Sequence, residues 1–193
     1  SRTAPFVSKA IGIQLAKLGA LVMSGKKIRD LDLPNRSDNK AYFSVKEAVF
    51  PFSKFPEVDV LLGPEMKSTG EVMGFGKTFG EAYFKAQRAA GVILPKEGNV
   101  FISVRDHDKE PICEVASELV DMGFKIYATS GTFNYLSDAG IVFSKINKVK
   151  DGHPHIVDMI KNNEVHLIIN TTEGARSIKD SFSIRKEAQN HKI

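Results

Sequence analysis

Four short apolar runs, separated by helical stretches of about ten residues, constrain the fold of the second half of this 193-residue chain. Strands that alternate with helices form right-handed βαβ units, and such units build a parallel sheet. We therefore expect an α/β fold, with a Rossmann-like parallel sheet flanked by helices. The expected strands are 100–104, 124–129, 141–145 and 165–170. The expected helices are 109–122, 132–139, 155–162 and a last one from Ile178 onwards.

Polar side chains follow these strands and predict an anion site. The turn Ala128-Thr129-Ser130-Gly131-Thr132 joins a strand to a helix, where backbone N–H groups and the helix N-terminus attract anions. In a parallel sheet the strand ends meet at one edge, where ligands bind. The residues that follow the strands are Lys109, Thr129, Thr132, Lys148, Asn170, Thr171 and Thr172. A phosphate site and a purely structural role, with capping hydroxyls and solvated lysines, are equally compatible with this pattern.

The first half of the chain is organised differently, and the boundary is expected near residue 95. Apolar spacing predicts a helix over 11–23 with one buried face, followed by a loop over 30–41 and a strand over 42–50. Because 51–76 is rich in proline and glycine, we expect irregular backbone there. The capping-box spacing of Thr78 and Glu81 predicts a helix up to about Ala90.

Three short motifs are weak indications of chemistry. The segment 70–78 ends in Gly-Lys-Thr, but five residues separate its outer glycines, where a P-loop has four; close packing and helix capping explain it better. His153 and His155 lack an evident cysteine or carboxylate partner set, so no metal site is expected. Cys113 lies in a helical pattern and is expected to be a buried structural thiol.

Composition excludes several classes of function. The chain is 42% hydrophobic and 26% charged, with a net charge of +4 and dispersed basic residues, which does not favour nucleic-acid binding. A single cysteine favours a reducing compartment, and we expect a cytoplasmic protein. No apolar run approaches the roughly 20 residues that span a membrane. The polar start, which lacks Met, indicates no signal peptide and is typical of a fragment or processed chain.

Longer runs in the sequence resemble the large subunit of bacterial carbamoyl phosphate synthetase. The most specific is the 13-residue run 62–74, which reads LGPEMKSTGEVMG. Shorter matching runs are 2–3 with 5–9, 44–47, 52–56, 169–172 and 184–185. The resemblance covers essentially the whole chain without long gaps.

The resemblance implies two domains. Residues 1–94 resemble the end of an ATP-grasp domain, the half that phosphorylates carbamate, and are expected to be an α+β remnant of it. Residues 97–193 resemble its allosteric domain, which is similar in fold to methylglyoxal synthase and is expected to be incomplete at its C-terminus. In the family this domain binds UMP as inhibitor and IMP as activator, and ornithine activates nearby. The implied nucleotide-binding residues are Lys109, Thr129, Thr132 and Lys148 for the phosphate, with Asn170, Thr172 and Ser181 completing the site.

The resemblance also implies which functions lie outside this chain. The family is a glutamine-hydrolysing ligase of pyrimidine and arginine biosynthesis that uses ATP, magnesium or manganese, and potassium. Its ATP and metal ligands precede Ser1, so we expect no catalytic residue, cofactor or metal here. Arg2 matches an arginine near the carbamate site. A glutaminase small subunit and an oligomer are expected in the full enzyme. Within this chain, we expect the segments 51–76 and 91–97 to transmit the effect of nucleotide binding to the rest of the enzyme.

Two other functions remain as alternatives. Methylglyoxal synthase needs a carboxylate base near the phosphate, but the matching segment, Gly152-His153-Pro154, lacks the aspartate. A stand-alone nucleotide-binding module would fit the second half of the chain. Such a module would have no need of the ATP-grasp-like first half.

Overall fold

The computed structural model describes residues 3–33, 42–50, 70–141 and 144–193. The described residues form two compact units, one that ends at Ile93 and one that begins at Leu94. The assignment of residues 1–94 to an ATP-grasp domain stays a prediction. Arg2 lies outside the described residues, as do most of the predicted loop over 30–41 and residues 51–69 of the segment predicted to be irregular.

The first unit begins with two short helices where one was expected. Helix α1 spans Thr3–Ile11 and α2 spans Leu15–Met23. The prediction of one helix over 11–23 was wrong because the chain turns at Gly12, whose φ of +71° lies in the left-handed region that glycine tolerates. The expected buried face is also absent, since neither helix carries a fully buried residue.

A β-hairpin packed on a helix forms the rest of the first unit. Strand β1, Phe43–Val49, pairs antiparallel with β2, Gly70–Gly76. The expectation of irregular backbone was therefore wrong for 70–76. Glycine at position 74 lets the strand pack closely on the helix that follows it, because a Cβ there would overlap the carbonyl oxygen of Ala82 in that helix. Small residues at this contact let helix and hairpin approach closely.

Helix α3, Phe79–Ala89, follows the hairpin as predicted. The Thr78 hydroxyl accepts a hydrogen bond from the Glu81 N–H at 3.1 Å, and the Glu81 carboxylate accepts one from the Lys77 N–H at 2.8 Å. These bonds satisfy donors that a helix N-terminus leaves unpaired. The Gly-Lys-Thr sequence is thus part of a strand and a helix cap.

The second unit is a four-stranded parallel sheet, as the sequence predicted. Its strand order is β5-β4-β3-β6, and its strands are β3 (Asn99–Ser103), β4 (Lys125–Ala128), β5 (Ser144–Lys145) and β6 (Leu167–Asn170). Only 144–145 of the expected strand 141–145 pairs with β4, and residues 142–143 are not described. All four strands end at one edge of the sheet.

Helices cover both faces of this sheet. They are α4 (Lys109–Asp121), α5 (Ser130–Asp138), α6 (Ile156–Lys161), α7 (Gly174–Asp180) and α8 (Phe182–His191). Helix α5 begins two residues before the expected start, and the last predicted helix is two helices. Cys113 of α4 is only partly buried, which corrects the expectation of a buried thiol, and its Sγ donates to the Lys109 carbonyl at 3.3 Å.

The core has two halves, one on each face of the sheet. Along β3, Val100 and Ile102 face one side and Phe101 faces the other, and all three are fully buried. Val100 and Ile102 pack with residues of α4 and α5, whereas Phe101 packs with residues of α6 and α8. This sandwich fixes the strand ends relative to one another.

Among the described residues, no single helix has the length and apolar composition needed to cross a membrane. Helices α1 and α2 reach that length and composition only together, with a bend of 114° between them.

Candidate anion-binding site

A cavity of about 890 Å³ lies at the carboxyl edge of the parallel sheet. The segments that follow β3, β4 and β6 form its floor, and the 148–150 turn and α7 form its walls. The seven residues that the sequence placed at a nucleotide site all line it: Lys109, Thr129, Thr132, Lys148, Asn170, Thr172 and Ser181. The structure therefore brings together residues from four separate parts of the chain.

The floor is a set of hydroxyl groups between β3 and β4. Thr129 and Thr132 are only 3% and 2% exposed. The hydroxyls of Thr129 and Ser103 lie 3.1 Å apart, and the Thr132 hydroxyl accepts a hydrogen bond from the Val104 N–H at 3.2 Å. The Thr132 hydroxyl also donates to the Val104 carbonyl oxygen at 3.5 Å, and each hydroxyl retains an acceptor position beyond these contacts. The same contacts tie the end of β3 to the start of α5.

Lys109 brings a positive charge to the N-terminus of α5. Its ammonium lies 3.8 Å from the position that a Cβ on Gly131 would take, and 5.9 Å from the centre of the Tyr135 ring. It also pairs with Asp106 at 2.7 Å, and this hydrogen bond lowers the pKa of the Asp106 carboxyl. The Lys109 side chain is 18% exposed whereas that of Asp106 is 94% exposed, so the acid is the partner that solvent can readily replace.

A hydrogen bond joins the segment after β6 to the segment after β3. The Thr171 hydroxyl accepts the Arg105 N–H at 3.0 Å, and the Arg105 guanidinium binds both carboxylate oxygens of Asp108 at 2.8 and 3.3 Å. Hydrogen bonds from Arg105 and then from Thr171 hold the pKa of Asp108 below its ordinary value. Asn170 and Thr172 form no side-chain hydrogen bond within the described ranges, which leaves both free to contact a ligand.

The opposite wall contributes further charge. Lys148 forms no ion pair with the residues that the structure describes, and its backbone N–H donates to the Asp151 carboxylate at 3.4 Å. Lys150 lies 3.9 Å from the Asp180 carboxylate, a contact too long to neutralise it firmly. The lining contains the cationic residues Arg105, Lys109, Lys148, Lys150, Arg176 and Lys179, against the acidic residues Asp106, Glu173 and Asp180. This excess of positive charge favours an anionic ligand.

Ser181 lines the cavity but its hydroxyl is already engaged. It donates to backbone carbonyls of α7, at 3.0 Å to Ser177 and 3.2 Å to Ile178, and accepts from the Arg185 guanidinium at 2.6 Å. These bonds join α7 to α8. The local geometry therefore gives Ser181 a role in holding the cavity wall.

Comparisons with known proteins identify the family. A sequence profile of the MGS-like domain matches residues 111–193. Over its whole length the chain is 57% identical to the carbamoyl phosphate synthase large chain of Pseudomonas syringae pv. tomato. The chain is homologous to part of that large chain. It is also 52% identical, over 96% of its residues, to the "Carbamoyl phosphate synthase large chain, C-terminal section" of Aquifex aeolicus.

The chain spans only a part of these relatives. It covers 18% of the length of the Pseudomonas syringae protein and 37% of the Aquifex aeolicus section. The large chain of Myxococcus xanthus is 51% identical over the whole chain and is likewise covered to 18%. The match to the MGS-like domain, over 111–193, covers the parallel-sheet unit from α4 onwards. It includes the cavity residues from Thr129 to Ser181, whereas β3 and the cavity residues 103–109 precede it.

Sequence reasoning missed several residues of the cavity in the MGS-like domain. Ser103 is the last residue of β3, as Asn170 is of β6, and a hydroxyl at a strand end was the available signal. Arg105 directly follows the expected strand 100–104, so the same signal was available for it. Arg176 gave no such signal, because it reaches the cavity from α7. The prediction that Arg2 contacts a substrate concerns a residue that the structure does not describe.

A second polar cluster lies outside the cavity lining, at the start of α6. Asp158 joins His153 and His155, so the expectation that these histidines lack a carboxylate partner was wrong. The carboxylate oxygen Oδ2 lies 2.6 Å from His153 Nδ1 and 3.1 Å from His155 Nδ1. His155 also caps α6, accepting the Asp158 N–H at 3.3 Å, while its own N–H donates to Asp158 Oδ2 at 2.9 Å.

Proposed function

We propose that this chain is the regulatory part of a carbamoyl phosphate synthase large chain and binds a nucleoside monophosphate in the cavity of its MGS-like domain. The complete protein would be the ATP-dependent ligase that makes carbamoyl phosphate from bicarbonate and ammonia or glutamine. UMP and IMP are the nucleotides that we propose as effectors. The observation that carries the proposal is the convergence of two lysines, two buried threonines and the start of α5 at one cavity.

The phosphate group would bind between Lys109, Lys148 and the first turn of α5. A phosphate dianion needs hydrogen-bond donors and positive charge, which ammonium groups, hydroxyls and the unpaired N–H groups of a helix N-terminus supply. Lys109 would exchange its solvent-exposed partner Asp106 for the phosphate. Thr129 would donate from the buried floor, and Thr132 would exchange its 3.5 Å hydrogen bond to the Val104 carbonyl for one to the phosphate.

The ribose and base would extend towards the end of β6. Asn170 and Thr172 line that side, and their unengaged side chains offer donors and acceptors that a ribose or a base can pair with. A cavity of about 890 Å³ lies within the range of small-molecule sites.

Regulation requires the nucleotide to bind two arrangements of the enzyme with different affinity, typically with a coupling of about 1–3 kcal/mol. We propose that the segments 51–76 and 91–97 carry that coupling. Ornithine would be a further effector at the boundary with the synthetase half, where Arg2 would lie near the carbamate site. ATP, magnesium or manganese, potassium, the glutaminase subunit and oligomerisation would belong to the complete enzyme, and a cytoplasmic location stays a prediction.

The relatives favour this function over a stand-alone module. The chain matches them over all of its residues but spans less than a fifth of the Pseudomonas syringae protein. The similarity therefore includes the first unit, which a stand-alone nucleotide sensor would not need.

The experiment is calorimetric titration of the chain with UMP and with IMP, comparing the wild type, Lys148→Ala and Lys125→Ala. Lys125 is an exposed residue at the amino end of β4, so its substitution removes the same charge at the opposite edge of the sheet. Loss of a charge-assisted hydrogen bond costs about 1.5–3 kcal/mol, which is roughly a 10- to 150-fold increase in Kd.

Saturable binding that Lys148→Ala weakens and Lys125→Ala leaves unchanged would support the site. Equal effects of the two substitutions would mean that net charge alone attracts the nucleotide. Absence of binding by the wild-type chain, repeated with the complete large chain, would refute the assignment.

A further inference from the structure

We propose that His153, His155 and Asp158 form a binding site for a divalent transition-metal ion such as Zn²⁺. The three side chains offer ligand atoms that all lie within 4.8 Å of one another. None of the three lines the cavity described above, so this site is separate from the proposed nucleotide site and does not depend on it.

Two of the three donor-atom separations are close to those around a metal ion, and the third, between the two histidines, is at most 4.8 Å. Bonds of Zn²⁺ to imidazole nitrogen and carboxylate oxygen are about 2.0–2.2 Å long, which places neighbouring ligand atoms about 2.9 Å apart in an octahedral shell and about 3.4 Å apart in a tetrahedral one. The separations from Asp158 Oδ2 are 2.6 Å to His153 Nδ1 and 3.1 Å to His155 Nδ1. The shorter of these separations would open by about 0.3 Å for an octahedral shell and by about 0.8 Å for a tetrahedral one, with water completing the shell.

The donor set suits this class of ion. Two imidazoles and one carboxylate bind Zn²⁺ and similar ions, and they leave positions open for water. Each ligand nitrogen must present a lone pair, so the metal would replace the hydrogen bond that His153 makes to Asp158. It would also replace the 3.3 Å contact in which His155 accepts the Asp158 N–H.

Two of the three ligands are already held in place. The His155 side chain is 9% exposed, and its backbone N–H fixes the Asp158 carboxylate at 2.9 Å. The His153 side chain is 76% exposed, which leaves the third side open for an ion to enter. The positive end of α6 opposes a cation with about half a charge at most, whereas Asp158 supplies a full negative charge.

The experiment measures binding of Zn²⁺ by calorimetry and of Co²⁺ by visible absorption, which reports nitrogen and oxygen coordination. The wild-type chain is compared with His153→Ala and His107→Ala. His107 is exposed and forms no side-chain hydrogen bond within the described part of the chain, so it controls for non-specific binding by a surface imidazole. Removal of one of three ligands should weaken binding about tenfold or more.

One equivalent bound equally by wild type and His107→Ala, and at least tenfold more weakly by His153→Ala, would support the site. No saturable binding by the wild type, or an unchanged affinity in His153→Ala, would overturn it. Because Asp158 also caps α6, Asp158→Asn is tested only after circular dichroism shows that it folds. A folded Asp158→Asn variant with wild-type metal affinity would likewise overturn the proposal.

Discussion

Replacing Thr132 with valine tests whether its hydroxyl holds the end of β3 in place. Valine has nearly the same shape but cannot accept the Val104 N–H, which now donates to Thr132 at 3.2 Å. An unpaired buried donor costs about 1–3 kcal/mol. Because Val104 is only half-buried and water can reach it in part, we expect about 1 kcal/mol, or a Tm lower by about 4–8 °C for a unit of this size.

The assay combines urea unfolding, followed by circular dichroism, with hydrogen exchange at the Val104 amide. Thr172→Val is the matched control, because the Thr172 hydroxyl has no partner in the described ranges; its stability should stay within about 0.5 kcal/mol of the wild type. The Val104 amide should exchange faster in Thr132→Val alone. Wild-type stability together with unchanged protection of Val104 would refute the inference that this hydroxyl fixes the end of β3.

Two further predictions concern other parts of the molecule. Gly74→Ala should destabilise the first unit by about 3 kcal/mol because its Cβ would overlap the Ala82 carbonyl; Gly80→Ala, with open space around its Cβ, should stabilise α3 by about 0.5 kcal/mol. Thermal melts that ranked the two variants equally would contradict this packing. The backbone hydrogen bond from His155, followed by the His153 side chain, lowers the pKa of Asp158 from 3.8. Its stabilising effect is therefore complete above about pH 4 and is lost as pH falls through the lower native value. Unfolding midpoints between pH 3 and 7 should fall further on acidification in the wild type than in Asp158→Asn. Both proteins retain the other carboxyls with lowered pKa values, those of Glu81, Asp106 and Asp108; parallel curves would refute the prediction.

Local signals predicted much of the fold. The alternation of apolar runs with helical stretches is sufficient for a parallel sheet, since a helix between two strands returns the chain to the end at which the first strand began. The cap formed by Thr78 and Glu81 depends on residues three apart, so sequence spacing reveals it directly. The candidate site could be predicted as a set of strand-end residues because all carboxyl ends of a parallel sheet share one edge.

Contacts between distant parts of the chain account for what sequence reasoning missed. Strand β2 contains three glycines, which locally indicate irregular backbone, yet the strand pairs with β1 in full. Close contact with Ala82 requires two of them, Gly74 and Gly76. Two hydrogen bonds depend on how the backbone folds after a strand or a turn. They join the Arg105 N–H to the Thr171 hydroxyl and the His153 ring to the Asp158 carboxylate. Periodicity contains no information about such contacts.

The hydrogen bonds that join the strand ends around the cavity have a consequence for the order of folding. The bond from Val104 to Thr132 spans 28 residues and the bond from Arg105 to Thr171 spans 66. Closing such long loops is entropically costly and occurs only when most of the sheet is in place. A chain interrupted before β6 would retain three strands of the sheet but would lack the hydrogen bond from Arg105 to Thr171. Occupancy of the cavity would therefore report that the whole parallel-sheet unit has folded, and a ligand at 100 times its Kd would stabilise that state by about 2.7 kcal/mol.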